Sequence, residues 1–445
     1  MSGAEVMVDV VVAGGGVAGL WTAAALRHAG YSVLVLEGRG GGGGGSGVPG
    51  QSIGAQGIIH GGMKYALTGE ASAAARAIAG MPAAWEAALA GRSADGVDLR
   101  DGGGVRVLSP CTYLWTTPGV LSKLAGFAAS RVLRTAVSGL DRGAWPAGLA
   151  GASKGISVYR VEEPVLAVDG VMAALHRQAG VVAAGRLGGE VVGEVDAARG
   201  EVVLRRADGG GGVGGAGGVV RAKQVLLLAG AGNVDAARAL GAGGGNGQGL
   251  PAAQTRPLHM VMVRWPKGVS APAEVFGHCV GPSNLPKLTI TSATDSGGRR
   301  VMYLGGEVAE QGVKRDAAEQ ISAAKAVMAQ CVPWVDVRGA EWGTCRWERA
   351  EAATKDGSRP DVPVLVEAGA GGGAGGLVVM GWPTKLAFAP RLAAMCGEHV
   401  RGRGVVPSGG AGAGGAEAAR AALGLDVARA APLPWEDGGV EWRAV

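Results

Sequence analysis

No uncharged apolar run in this chain reaches the about 18 residues that a membrane-spanning helix needs, so none is expected. CxxC pairs are also missing. The five cysteines (Cys111, Cys279, Cys331, Cys345 and Cys396) are odd in number and scattered, which points to reduced thiols rather than a disulfide framework or a metal site. The six histidines show neither HxxxH nor HExxH spacing. Net charge is +5, but both signs are spread along the chain and no long basic block exists, so a nucleic-acid partner is not expected. The opening MSGAEVMVDV enters an apolar run almost at once, leaving no room for a signal or transit peptide. The expected setting is therefore intracellular and soluble, in cytoplasm or an organelle lumen.

What the chain has in excess is glycine, 85 of 445 residues. Much of it lies in runs at 40–45, 209–218, 241–249, 369–376 and 408–415, which read as flexible surface loops without chemistry. The length allows two or three domains, each with its own core.

The most informative stretch is Asp9–Glu37, DVVVAGGGVAGLWTAAALRHAGYSVLVLE. A β-branched apolar run, Val10–Ala13, meets three glycines. Apolar residues at helical spacing follow (Val17, Leu20, Trp21, Ala24, Ala25), and a second apolar run ends on Glu37. Strand, turn, helix, strand and acid together predict a dinucleotide site. Gly14 permits the sharp turn, Gly16 lets a phosphate reach the backbone, and Gly19 lets the helix pack on the strand. Gly15, Val17 and Ala18 open the helix, whose unpaired N–H groups and dipole suit a pyrophosphate. Glu37 stands about where a ribose-binding acid is needed, which favours FAD or NAD over a 2′-phosphorylated cofactor.

The segment GQSIGAQGIIHGGMKYAL, 50–67, is dense in small and polar residues: Gln51, Ser52, Gln56, Gly57, His60, Gly61, Lys64 and Tyr65. Here the chain resembles the FAD-dependent D-amino-acid oxidase superfamily, which includes glycine oxidase, glycerol-3-phosphate dehydrogenase and L-2-hydroxyglutarate dehydrogenase. The resemblance implies that this segment wraps the FAD pyrophosphate and runs beneath the flavin. Ile59-His60-Gly61-Gly62-Met63-Lys64-Tyr65 is similar to the IHGG-x-R-Y signature of glycerol-3-phosphate dehydrogenases, with lysine in place of arginine. It makes His60 a flavin-proximal, catalytic candidate and Lys64 and Tyr65 substrate contacts. The plainer alternatives are a turn histidine and a solvated lysine.

Later segments extend the resemblance. Glu163–Ala179 reads as a strand-like entry, an Asp169 N-cap and an amphipathic helix with Val171, Met172 and Leu175 inward. Two alternating runs follow, and in one of them Val191 matches the family's adenine-binding valine. VLLLAGAGN, 225–233, resembles the second strand–turn, which closes over the pyrophosphate with Ala229 and Gly230. Gly357–Pro363, GSRPDVP, resembles the G-x-R-P…D-x-P segment, whose arginine, here Arg359, grips the substrate carboxylate. A guanidinium suits that task because it donates two parallel charge-assisted bonds. Arg346 and Arg349 are the alternatives. LVVMGWPTKLAFAPRL, 377–392, reads as a strand, a loop and an apolar helical stretch beginning near Lys385, and resembles the family's last strand–loop–helix, aimed at the flavin N1–C2=O edge. Gly381, Pro383, Thr384, Lys385 and Leu386 are the contacts there, with the Lys385 ammonium stabilising negative charge on reduced flavin.

The expected fold is α/β: an FAD-binding Rossmann-type, glutathione-reductase-like domain (1–70, 160–250, 355–430) with an inserted antiparallel β-sheet substrate domain (71–159, 251–354). The expected function is FAD-dependent oxidation of a C–N or C–O bond in a small anionic substrate, an amino acid or amine first, by hydride transfer to flavin N5. Oxygen, a quinone or a carrier protein would accept the electrons. The alternatives are a 2-hydroxy-acid or glycerol-3-phosphate-type dehydrogenase, and an FAD-binding protein that senses rather than catalyses.

Overall fold

The computed structural model describes residues 5–38, 50–62, 77–117, 137–153, 155–208, 218–243, 249–281, 286–369, 375–409 and 412–444. Two large sheets dominate it. In the first, strand β1 (Glu5–Ala13) lies at the centre. It is parallel to β2 (Val33–Glu37) on one side and to Val219–Leu227 on the other. Val181–Ala184 extends the sheet beyond β2 in parallel, and Asp426–Val427 closes that edge antiparallel. Val219–Leu227 changes partner along its length. Its first half pairs antiparallel with the hairpin strand Glu201–Arg206; its last residues pair parallel with Val378–Trp382.

The central strands are valine- and leucine-rich because both of their faces are covered. On one face, helix α1 (Val17–His28) sits between helices Val168–Ala179 and Ala389–Gly402. Trp21 of α1 meets Trp85 edge-on at 4.8 Å, and each indole N–H finds an acceptor: Asp95 Oδ2 for Trp21, the Ala387 carbonyl for Trp85. The other face buries Ala236, Leu240, Ala419 and Leu423.

The second sheet runs Arg443–Ala444, Glu341–Ala352, Ala253–Arg264, Arg300–Gly305, Pro286–Thr294, Gly277–Val280, Thr112–Thr116, Val158–Val161, Val137–Leu140. All its pairings are antiparallel except that of Gly277–Val280 with Thr112–Thr116. Helix Ala317–Cys331 packs on it, started by an Asp316–Glu319 capping box. Among the described residues no helix is long and apolar enough to cross a membrane.

Several local expectations change. β1 begins at Glu5, so Asp9 lies within the strand rather than before it. Its buried carboxylate is tolerated because it accepts from Ser32 N, from Ser408 N and Oγ, and from Lys223 Nζ. Burial pushes that carboxyl up, but the Lys223 ammonium and the N–H and O–H donors outweigh it and hold the group below its ordinary value. Ala167, not Asp169, is the N-cap of the helix Val168–Ala179; Asp169 falls in its first turn, where the dipole still favours it. The expected loop 408–415 is helical from Gly412, because the alanine-rich run after it propagates a helix, Gly412–Ala422, backwards into the glycines. Most of the other glycine runs fall outside the described residues.

Candidate active site

A cavity of about 2170 Å³ runs between the two sheets. Small-ligand pockets are usually about 300–1,000 Å³, so a dinucleotide and a small substrate fit together.

At one end the wall is built by the β1–α1 turn and β2. Gly14 has φ +119°, and a Cβ there would lie 2.4 Å from the Leu228 carbonyl oxygen. A Cβ on Gly19 would stand 1.8 Å from the Gly14 oxygen. Both positions therefore require glycine, one for the turn and one for the helix–strand contact. Gly14, Gly15, Gly16, Val17, Ala18 and Glu37 line the cavity. Glu37 Oε2 accepts from Gly15 N at 2.5 Å, and Ser52 Oγ accepts from Val17 N at 2.9 Å. Ala229 and Gly230 close the same end. Asn233 ties that turn down, accepting from Ala229 N and donating to the Gly381 carbonyl.

Not every sequence candidate reaches the cavity. Val191 is 0% exposed, packed in the core below the sheet; Val182, Arg186 and Leu187 supply the lining there instead. Gly19, Gly61 and Gly381 also stay out of the lining. Gly381 serves packing, since a Cβ would meet Leu228 Cδ2 at 2.6 Å. Lys64 and Tyr65 lie outside the described residues. Gln51 and Gln56 line the cavity and pin its walls. The Gln51 Oε1 accepts from Ala350 N, and the Gln56 amide donates to the Tyr303 carbonyl. Gly57 and Ser52 line it as well. Of the aromatic residues in the second sheet, Trp347 reaches the cavity, whereas Tyr303 and Trp342 are core.

At the other end, Pro383, Thr384, Lys385 and Leu386 form the wall. The expected helix start at Lys385 is displaced: a single 3₁₀ turn, Leu386–Phe388, comes first, and the α-helix opens at Ala389 with Pro390 in its first turn. The Lys385 amide donates back to the Pro383 carbonyl at 2.7 Å, so it is not among the amides offered to a ligand. That tight turn holds Thr384 at φ +61°, a strained setting for a β-branched residue. The Thr384 hydroxyl is buried and lacks a hydrogen-bond partner among the described residues. Side chains or backbone held this way against a cavity fit a polar ligand edge. With the bare glycine turn at the far end, the residues present fit FAD.

The Gly357–Pro363 loop is set beside that wall, because the strand Val364–Glu367 enters opposite Trp382. Arg359 lines the cavity, half-buried, and among the described residues makes no ion pair. The alternative arginines are committed. Arg346 donates to the Val313 and Arg315 carbonyls; Arg349 pairs with Glu310. Burial, aided by the neighbouring Arg256 guanidinium, pulls Arg349 below its ordinary value.

His60 does not act alone. Its Nδ1 donates to Glu163 Oε2 at 3.1 Å, while Gly61 N donates to Glu163 Oε1 at 2.7 Å. The His278 ring stacks on His60, 6.0 Å between centroids. Glu163 and His278 are 2% and 4% exposed, whereas the His60 side chain is 39% exposed, and all three line the cavity. Burial raises the Glu163 carboxyl, but the His60 and His278 imidazoles and the Gly61 N–H outweigh it and leave it below its ordinary value. Burial, reinforced by His60, pushes His278 down to about 4. Glu163 and His278 were not visible as site residues in the sequence. Glu163 is the second of two adjacent glutamates before a proline, His278 a single histidine in a strand, and only tertiary packing brings them to His60.

No family model matches the chain. It is 38% identical over 404 residues to the probable FAD-dependent oxidoreductase PA4991 of Pseudomonas aeruginosa, covering 90% of this chain and 92% of that one. The crystal structure of PA4991 superposes with a TM-score of 0.68, covering 92% and 94% of the two chains at 33% identity. Iminodiacetate oxidase from Chelativorans sp. BNC1 (TM-score 0.60, 13% identity, 88% and 95% covered) and glycine oxidase from Geobacillus kaustophilus (0.57, 17%, 89% and 95%) share the fold. The expected family, fold class and cofactor therefore stand, and the non-catalytic alternative falls away. This chain belongs to the same family of FAD-dependent oxidoreductases as PA4991, on a fold shared with glycine oxidase and iminodiacetate oxidase.

Proposed function

We propose that the chain oxidises a C–N bond in a small anionic amine or amino acid. When bound, FAD supplies the two-electron acceptor, taking the hydride at N5. The observation that carries this reading is Arg359, a half-buried guanidinium on the cavity wall without an ion-pair partner among the described residues. A cation left uncompensated beside a cavity is suited to an anionic ligand. Relatives in fold are named for oxidation of glycine and iminodiacetate, both amines carrying carboxylates. Gly14–Gly16, Glu37, Ser52, Ala229 and Gly230 would hold the dinucleotide. Thr384 and the turn around it would face the flavin, and Lys385 would lend its charge there.

A second reading, a 2-hydroxy-acid or glycerol-3-phosphate-type dehydrogenase, is favoured by the His60–Glu163 pair, since an alcohol must lose a proton as it is oxidised. The test is anaerobic bleaching of the flavin with a panel of amino acids, amines and hydroxy acids, followed by reoxidation with oxygen or a quinone. Arg359→Ala should raise the KM of the reducing substrate at least about tenfold with kcat changed less, the signature of lost binding. Equal KM in the two proteins would remove Arg359 from the substrate site.

A further inference from the structure

Nothing in the family likeness names a partner for His60, but the cavity wall supplies one. Glu163 accepts two bonds, one on each oxygen: Gly61 N on Oε1 and His60 Nδ1 on Oε2. An ionised carboxylate can only accept, so the proton in that second bond must sit on His60 Nδ1. In the neutral ring, Nε2 then carries the lone pair, on an imidazole that lines the cavity. His278 covers one face of that ring and bonds through Nδ1 to Thr289 Oγ1 at 2.9 Å. Its own Nε2 is buried without a hydrogen-bond partner among the described residues. Two further groups thus surround His60: a buried carboxylate that can balance a positive ring, and a buried imidazole that brings no charge of its own.

We propose that Glu163 is the positioning residue that makes His60 the proton acceptor of the oxidation, with the His278 ring as the plate against which His60 is held. The proposal rests on the oxidase reading above and extends it to the substrate: a compound whose amine or hydroxyl still bears the proton to be removed. The substrate's C–H hydrogen leaves with its electron pair to the flavin that this family uses as oxidant. The electron pair of the N–H or O–H bond becomes the second bond of C=N or C=O. The released proton goes to His60 Nε2, and the resulting imidazolium is balanced by Glu163.

Glu163→Gln tests this sharply. The Gly61 N–H still needs an acceptor, so the glutamine oxygen turns to Gly61 and its NH₂ faces His60 Nδ1. That forces the ring into the opposite tautomer, with the proton on Nε2 and no lone pair for the substrate. In ¹⁵N-histidine-labelled holoenzyme, with His60 assigned by the spectrum of His60→Gln, neutral His60 should be the Nδ1–H tautomer in the parent protein and the Nε2–H tautomer in Glu163→Gln. Anaerobic flavin reduction should slow at least about 100-fold in Glu163→Gln, with KM changed only a few-fold, and Glu163→Asp should recover part of the rate. An Nε2–H tautomer in the parent protein, or a Glu163→Gln reduction rate within about threefold of it, overturns the proposal. So does a stoichiometric divalent metal in the purified protein that Glu163→Gln loses, because these three side chains would then be ligands. The tautomer is read with no substrate present. If no compound reduces the flavin, the oxidase reading fails while the dyad is still decided.

Discussion

His278 couples the active site to acid stability. Burial keeps it neutral, with its ordinary value of 6.5 lowered to about 4. Above pH 6.5 the ring is neutral in both folded and unfolded chains and contributes no pH dependence. Between 6.5 and about 4 the unfolded chain binds a proton that the folded chain refuses, so stability falls as pH drops through that window. The loss is at most about 3 kcal/mol. Glu163 acts lower on the scale. Its depressed value contributes stability that is present above its ordinary 4.5 and is lost only as pH falls through the lower folded value. Urea midpoints measured from pH 7 to 4 should therefore slope downward, and His278→Gln should flatten that slope. A variant as steep as the parent would mean that other groups set the acid limb.

The β1–turn–α1 unit shows how one element divides its glycines between folding and binding. A methyl on Gly19 would collide with the Gly14 carbonyl at 1.8 Å, backbone against backbone, with no flexible side chain to yield. A methyl on Gly16, whose φ of −74° suits any residue, would among the described residues meet only the Ser52 hydroxyl, at 3.1 Å. Gly19→Ala should therefore lower stability by about 1–3 kcal/mol or more and lower flavin content with it. Gly16→Ala should leave the melting temperature of the flavin-free protein nearly unchanged while weakening FAD binding. Thermal melts of stripped protein beside flavin fluorescence titrations separate the two. This element was legible in advance because its signals are local: valine runs, three glycines, helical spacing and a terminal acid all fall within about 30 residues. The Pro383–Phe388 wall was less legible. Its apolar run read as a helix from Lys385, but the Lys385 amide is drawn back to Pro383 and Pro390 fits only a first turn, so the α-helix waits until Ala389.

At the scale of the whole molecule, the last twenty residues belong to both sheets. Asp426–Val427 edges the first sheet, Ala428–Pro432 line the cavity, and Arg443–Ala444 edge the second. On the way, the Trp442 ring lies under the Arg264 guanidinium at 3.8 Å. Ending the chain at Leu425 should leave most of both cores intact but remove one cavity wall. The expected outcome is a folded protein with FAD affinity reduced at least about tenfold, read by equilibrium dialysis. Undiminished affinity would show that this wall does not touch the cofactor.

The sequence by itself determined the dinucleotide turn, the acid at Glu37, the strand-rich second half and the family, because each is written in residues close together along the chain, where backbone conformation and side-chain periodicity act. That Arg349 pairs with Glu310 while Arg359 makes no ion pair among the described residues, that Val191 is buried beneath the cavity, and that Glu163 and His278 converge on His60 were decided only by tertiary structure. Those facts depend on strand register and on which charges find partners across the fold, and these contacts join residues from a few tens to more than 100 positions apart.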